Sequence, residues 1–482
     1  MLMSIPAIQH AVSESIDARK AALVNASDAI WDHPQVNFHE DYAADMLCSL
    51  LEQNGFALEK QLDDMPTAFR ATFGSGKPVI AFLGEYDALS ALSQQAGCLT
   101  KMPIETGAPG HGCGHNLLGV GSLAAALAVK DLIAAGTVSG TVVYFGCPAE
   151  ETASAKAFLA RDGYFGGIDA ILTWHPWDYT GIWPGGSLAN VKLIFRFKGQ
   201  AAHAAGSPHL GRSALDALEL MNVGVQFLRE HVPEDTRIHY AITDAGGASP
   251  NVVQAKSEAV YLVRSPRLSD LTDIVERVKD CARGAAIMTG TQVDIEFVKG
   301  CSNMKPNAVL GEALIESCTS LGTPDYTADE LKFAHDVQAT ISTPEDTLTR
   351  LVRLCDSRTS ESVMAHQGEA MYTFVAPHVA TDMPIIPVST DVGDASWCAP
   401  TAQISTAAWP AGTPAHSWQV VTCGKSSIAH KAMLYAGKAL ALTGAKLMSD
   451  SELLTRAKRE FDASIATHPY VCPIPEYVKP SI

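Results

Sequence analysis

The sequence predicts an α/β protein, a mixed and largely parallel sheet with helices on both faces that carries an inserted ferredoxin-like unit. Three observations predict it. Short runs that are almost wholly apolar, at 79–83, 141–147 and 170–174, have the composition of strands covered on both faces. A long Ala-rich helical stretch at 117–135 stands between two of them, and alternation of strand and helix builds parallel sheets. After Ala189 the pattern changes to strand 190–198, helix 213–230, strands 238–243 and 259–264, helix 268–288 and strand 291–299. That order, β-α-β-β-α-β, is the ferredoxin-like one.

The remaining elements fit this frame. Residues 16–30 read as a helix, and 41–53 as a second one halted at Asn54-Gly55, before a strand at 68–73. The α/β character returns with a helix at 307–321, a strand at 402–407 and a helix at 427–447. Residues 343–387 have weak periodicity and several charges, so irregular structure with some helix is expected there. A chain of 482 residues exceeds what one core serves. The expected division is a main domain of 1–189 with 306–482 and an inserted domain of 190–305.

Charge and composition exclude several functions. With 52 acidic against 35 basic residues the net charge is −17, which argues against nucleic acid as a partner and requires any anionic substrate to be caught by a local basic group. The N-terminus lacks a basic start followed by an apolar run, and no apolar stretch is expected to span a bilayer, so a cytoplasmic protein with no membrane partner is expected. Eleven cysteines without regular spacing read as mostly buried free thiols.

Several segments carry chemistry. Gly107-Ala108-Pro109-Gly110-His111-Gly112-Cys113-Gly114-His115-Asn116 is glycine-dense and opens onto the Ala-rich helix; Cys113 and His115 are placed to face one ion, or else form a tight turn with a buried thiol. Glu150-Glu151 follow an apolar strand, where open α/β sheets place their sites, although acidic residues also favour a solvated helix start. His175 and Asp87 stand at two further strand ends, and parallel strands would gather all of these at one sheet edge. His416 lies in a turn-rich segment late in the chain.

On these residues the chain resembles the metallopeptidase and amidohydrolase family of aminoacylases, hippurate hydrolases and auxin-conjugate hydrolases. The resemblance runs nearly end to end, through Trp31-Asp32-His33-Pro34, Leu83-Gly84-Glu85-Tyr86-Asp87-Ala88-Leu89, the segment ending His115-Asn116, Thr173-Trp174-His175-Pro176, Ala201-Ala202-His203-Ala204, Ser389-Thr390-Asp391-Val392-Gly393-Asp394 and Cys472-Pro473-Ile474-Pro475. It implies a two-metal peptidase-type catalytic domain, with the inserted unit as a lid and dimerisation domain. Cys113, His115, Glu151, His175 and His416 are implied as ligands of two divalent ions in each chain, Mn2+ ahead of Zn2+, with Glu150 as general base and Asp87 orienting a ligand. Glu85 stands where distant members have a first His ligand, and Cys113 where they have a bridging carboxylate; whether Cys113 bridges two ions stays open.

The inserted unit adds three residues. His203 is similar to a histidine that reaches the active site of a second protomer and stabilises the oxyanion, and Asn251 and Arg264 are similar to residues that hold the substrate carboxylate. Read alone, His203 is equally an exposed strand-end residue, Asn251 a turn residue beside Pro250, and Arg264 a surface charge. The implied substrates are N-acyl amino acids with an aromatic acyl group, p-aminobenzoyl-glutamate first, or aromatic acyl-aspartate conjugates of the auxin type. Trp174, Trp177 and Trp183 are candidates for stacking on an aryl group, or for the core. A homodimer is implied, or a heteromer with a related chain in which this one is a largely non-catalytic partner. Outside that family, Cys113 with His115 or His175 as base would make a cysteine hydrolase without metal.

Overall fold

A computed structural model describes residues 4–183, 185–353, 357–377 and 388–480. The larger sheet has seven strands, β1 (Ala57–Lys60), β2 (Phe69–Ser75), β3 (Val79–Glu85), β4 (Gly140–Cys147), β5 (Ala170–Trp177), β6 (Gly181–Ile182) and β11 (Thr401–Ala407). Their order is β1-β2-β4-β3-β5-β11-β6. The central four, β4, β3, β5 and β11, run parallel, and the flanking pairs are antiparallel. Alternate residues of β3 enter different cores: Ile80 and Phe82 pack on one face, Ala81 and Leu83 on the other. That explains why the run is apolar throughout.

Helices α1 (Ile5–Ala18), α2 (Lys20–Asp32), α3 (Asp41–Gln53) and α4 (His115–Ala134), with the long helix Ser427–Ser449, cover the first face. The second is covered by α5 (Ala155–Arg161) and the short helix Val392–Ser396. A separate four-stranded antiparallel sheet, order β10-β7-β9-β8, is built from β7 (Ala189–Lys198), β8 (Arg237–Asp244), β9 (Lys256–Ser265) and β10 (Gln292–Cys301). Helices α6 (Ala214–Leu228) and α7 (Leu268–Thr289) pack on one of its faces, which is the ferredoxin-like arrangement.

Two expectations need correction, and the third segment, of weak periodicity, holds the helix expected of it. The helix at 16–30 is two helices, because Arg19 leaves helical geometry and its guanidinium turns to grip Asp131 of α4 at 2.7 and 3.2 Å. A side chain that joins two helices outweighs the local periodicity. Helix α4 has the length and apolarity to cross a membrane, contrary to expectation, but 78% of that stretch is buried inside the protein, against the sheet. Residues 343–387 contain helices Thr347–Val352 and Ser357–Met364; 354–356 and 378–387 lie outside the described residues.

Two glycines set the distance between α4 and the sheet. A Cβ on Gly119 would stand 2.8 Å from the Glu85 carbonyl oxygen, and one on Gly121 would meet the Trp174 ring at 2.6 Å. Gly119→Ala therefore opposes two effects. Alanine favours the helix by about 1 kcal/mol, whereas overpacking against fixed backbone costs about 1–3 kcal/mol. The expected net effect is a loss of stability in urea unfolding; a gain would show that this close approach does not set the spacing.

Candidate metal centre

The carboxyl ends of the parallel strands bring the sequence-predicted groups together. Glu85 ends β3 and leads to Asp87, Glu150 and Glu151 follow β4, and His175 lies in β5. Gly114, at φ 73°, turns the chain so that Cys113 precedes and His115 begins α4. Ala149 and His416 also take positive φ, at 51° and 55°. This is costly for residues with a Cβ and is found where surroundings fix the backbone. Here the His416 N–H donates to the Gly112 carbonyl at 3.1 Å, which joins the late loop to the glycine-rich one.

The side chains form two triads that share one sulfur. Cys113, His115 and His175 offer one ligand atom each within 4.8 Å of one another, and so do Cys113, Glu151 and His416. Cys113 Sγ lies 3.4 Å from His175 Nε2, and His416 Nε2 lies 3.4 Å from Glu151 Oε1. Second contacts orient the rings. His115 Nδ1 is 2.9 Å from Asp87 Oδ1, and His175 Nδ1 is 2.7 Å from the Pro176 carbonyl, so in each ring Nε2 is the nitrogen left to face the cluster. The other Asp87 oxygen accepts the Glu151 backbone N–H at 3.0 Å.

Charge at this edge is finely divided. Burial and Glu151 push the Cys113 thiol up, but the His175 and His115 imidazoles outweigh them and bring it down to about 6. Burial, then Glu151, Glu85 and Asp391, raise Glu150 well above the usual carboxylate range. Burial also opposes ionisation of Glu151, yet His416 and His115 hold it at about 2. The paired glutamates thus separate into a carboxylate facing the imidazoles and a more basic one beside it. Glu85, His115 and Glu150 make a third close group: Glu85 Oε2 lies 3.2 Å from His115 Nε2, while Glu85 Oε1 is 2.8 Å from Lys156 Nζ, which is also 2.5 Å from Asp391 Oδ1.

The donor set fits divalent ions. His115 Nε2 and Glu151 Oε1 are buried and make no hydrogen bond, their nearest charged neighbours being Glu85 Oε2 at 3.2 Å and His416 Nε2 at 3.4 Å; a divalent ion would supply the partner that neither atom has. A thiolate with imidazoles suits Zn2+, and carboxylate with imidazole also accepts Mn2+.

Not all expected residues lie here. Arg264 lines the adjoining cavity of about 1040 Å3 together with Glu150, Glu151 and His416, and donates to Ser389 Oγ at 3.2 Å. His203 and Asn251 do not line it; they sit side by side on the small unit, where the Ala204 N–H donates to the Asn251 carbonyl at 3.0 Å and both residues are exposed. Of the two roles left open for Trp174 the core one is found, since it is fully buried with its indole N–H on the Leu118 carbonyl, while Trp177 and Trp183 have ring centroids 5.7 and 6.0 Å from that of His175. Sequence reading missed Lys156, although a lysine amid the apolar residues 155–160 was a signal for a buried charge partner.

Among the described cysteines, Cys113 is the one whose thiol is pushed down, whereas burial pushes Cys48, Cys147, Cys281, Cys301, Cys318, Cys398, Cys423 and Cys472 up. A lowered thiol is ionised above its pKa, so alkylation of Cys113 in metal-stripped protein should rise through pH 6 and level off above it. Mass spectrometry of iodoacetamide-treated protein should find this modification suppressed by reloading Mn2+ or Zn2+. Unchanged labelling with metal would remove Cys113 from the ligand set.

Comparison with known proteins identifies the family. A model of peptidase family M20/M25/M40 matches residues 81–395. The B subunit of p-aminobenzoyl-glutamate hydrolase from Escherichia coli (strain K12) is 46% identical over 472 residues, which is 98% of this chain and 98% of that protein. The Xaa-Arg dipeptidase of Mus musculus is 31% identical over 329 residues, 65% of this chain and 72% of that protein. Among solved structures, a dinuclear metal-binding peptidase of the M20 family from Bacillus subtilis superposes with a TM-score of 0.54 at 16% identity, covering 89% of this chain and 99% of that one. The aminobenzoyl-glutamate utilization protein of Klebsiella pneumoniae gives 0.54 at 14% identity over 88% and 98%. Identities this low speak to the shared fold; the family match and the full-length relative carry the assignment. The chain belongs to peptidase family M20/M25/M40 and is a metal-dependent amidohydrolase.

Proposed function

We propose that the chain hydrolyses the amide bond of N-acyl amino acids with an aromatic acyl group, p-aminobenzoyl-glutamate first among them and aromatic acyl-aspartate conjugates next. The observation that carries this reading is the pair of triads sharing Cys113, with Glu150 beside them and Arg264 on the same cavity. The similarity to the Escherichia coli hydrolase supports the choice of substrate. Cys113, His115 and His175 would hold one divalent ion and Cys113, Glu151 and His416 the other, with Mn2+ preferred over Zn2+ on family resemblance. The ions supply Lewis-acid polarisation and a water acidic enough to ionise near neutral pH.

The chain's own residues do the rest. Asp87 fixes the His115 ring. Glu150, made more basic by burial and by Glu151, takes the proton of the attacking water and passes it to the leaving amine. Arg264 grips the substrate carboxylate through its planar guanidinium. Residues 190–305 act as a lid and dimerisation domain, in which His203 and Asn251 serve the site of a second copy, His203 on the oxyanion and Asn251 on the carboxylate. Their absence from the lining of their own chain's cavity supports this, as does β8 standing at the edge of its sheet with Tyr240 and Ile242 exposed. A heteromer with a related chain is the alternative assembly, and a 28% identical homolog of the hydrolase's A subunit in Haemophilus influenzae keeps it in view.

The approach of Cys113 to His175 also has the form of a thiol nucleophile with its base. Metal dependence tells against that route, and chelation tests it: activity should be lost with a chelator and recovered with Mn2+ or Zn2+, and chelator-resistant activity abolished by alkylation would overturn the ligand role of Cys113.

Glu150→Ala should lose roughly 100- to 10,000-fold in turnover while elemental analysis still finds both metals; loss of metal instead would mean that the roles of Glu150 and Glu151 are exchanged. Arg264→Ala should mainly raise KM, and an unchanged KM would remove it from the site. Glu150→Ala and His203→Ala should each be inactive alone, yet mixing their unfolded chains and refolding should restore about a quarter of the sites, since a hybrid dimer keeps one site with both groups. No recovery would place His203 outside the partner's site.

A further inference from the structure

The sheet of the small unit turns its helix-free face to the cavity, and the charges on that face are unevenly balanced. Register places Cys301, Asn190, Arg264 and Arg237 in one row across the four strands, and Lys299, Lys192, Leu262 and His239 in the next. All eight line the cavity. Arg237 is thus directly opposite Arg264, and Lys192 opposite Lys299. Like charges in these positions destabilise a sheet. Farther along the same face Arg196 pairs with Glu258 and Glu296, and Lys198 with Asp294. In the two cavity rows, by contrast, Arg237, Arg264, Lys192 and Lys299 have no carboxylate partner among the described residues.

The contacts these groups do make leave them available. Arg237 donates through Nη1 alone, to the Glu234 and Thr236 carbonyls at 2.9 Å, and Lys299 Nζ donates to the Glu151 carbonyl at 3.1 Å. Of the carboxylates lining the cavity, Glu151 faces His416, Asp391 is held by Lys156, and Glu150, raised by burial and by Glu151, stands at the metal end; none of the three forms an ion pair with these four groups. Partial burial and the positive charges of Arg264, Arg229 and Arg237 push the His239 imidazole down, as expected where positive potential is uncompensated. In a chain of net charge −17, a like-charged cluster without counter-ions is stabilised by an anionic ligand.

We propose that Arg237, supported by Lys192, binds a second acid group on the amino-acid part of the substrate, so that the site selects N-acyl dicarboxylic amino acids over those with neutral side chains. This rests on the amidohydrolase reading above, in which Arg264 holds the first carboxylate. Two arginines at directly opposed positions, about 4.5–5.5 Å apart at Cα, present two forks to two carboxylates of one short side chain. Arg237 is a specificity residue and takes no part in the proton transfers.

The test uses the metal-loaded full-length chain and two conjugates of the same acyl group, p-aminobenzoyl-glutamate and its isosteric neutral counterpart p-aminobenzoyl-glutamine. Turnover is read as kcat/KM, and binding by calorimetry in a Glu150→Gln background. The native site should favour the glutamate conjugate by about 10- to 100-fold. R237Q should bring the two within about threefold by weakening the glutamate conjugate alone, R237K should restore part of the preference, and K192Q should reduce it less. Equal native affinities, an unchanged ratio in R237Q, or a parallel fall for both conjugates would overturn the proposal. Absent turnover of both conjugates with the binding ratio intact would instead overturn the hydrolytic reading and leave the assignment of Arg237 standing.

Discussion

The Asp87 carboxylate joins three segments that are far apart in sequence: its own strand end after β3, the ring of His115 at the start of α4, and the backbone of Glu151 after β4. A buried carboxylate is tolerated only when its oxygens are satisfied, and here each accepts one N–H from a different segment. The same two bonds fix the orientation of an imidazole and the path of the chain carrying the paired glutamates. Moving any of the three segments would leave a buried charge short of a partner, so the geometry of the cluster depends on this one group.

A similar constraint acts deeper in the sheet. Lys156 is fully buried, and burial opposes its charge, but Asp391 and Glu85 hold the ammonium charged. Its backbone N–H also donates to Asp391 at 2.9 Å. Buried ion pairs contribute little net stability, while removing one member is costly. The value of this one is positional: Lys156 holds one oxygen of Glu85, while the other faces His115 Nε2 at 3.2 Å, so the ion pair fixes Glu85 at the edge of the cluster. Negative charge is thus compensated internally at the metal end, whereas the wall formed by the small sheet keeps its positive charge free.

How legible this was in the sequence follows from the range of the forces involved. The apolar runs at 79–83, 141–147 and 170–174 betray strands because burial on both faces is written in consecutive residues. Cys113, His115, Glu150, Glu151 and His175 were legible because each stands beside such a strand or at the mouth of a glycine-rich loop. Arg19 was not, since the interruption of its helix is caused by Asp131, more than a hundred residues away. Nor were Lys192 and Arg237, which look like ordinary alternating charges on strands. Only the register that sets Arg237 opposite Arg264, and the lack of the carboxylates found on neighbouring rows, separates them from solvated surface.

The sharing of Cys113 has a further consequence for how the site is assembled. Neither triad has three donors without it, and its backbone lies between two elements held from opposite sides, α4 through Gly114 and the His416 loop through the Gly112 carbonyl. His416 is the exposed member, with about half of its side chain accessible, while His115 is wholly enclosed. The triad containing His115 and His175 is therefore the rigid one, built on strand and helix ends. The triad containing His416 draws its third donor from a loop residue at positive φ, whose N–H is held by the Gly112 carbonyl, so one backbone bond ties the exposed ligand to the loop that carries the common sulfur.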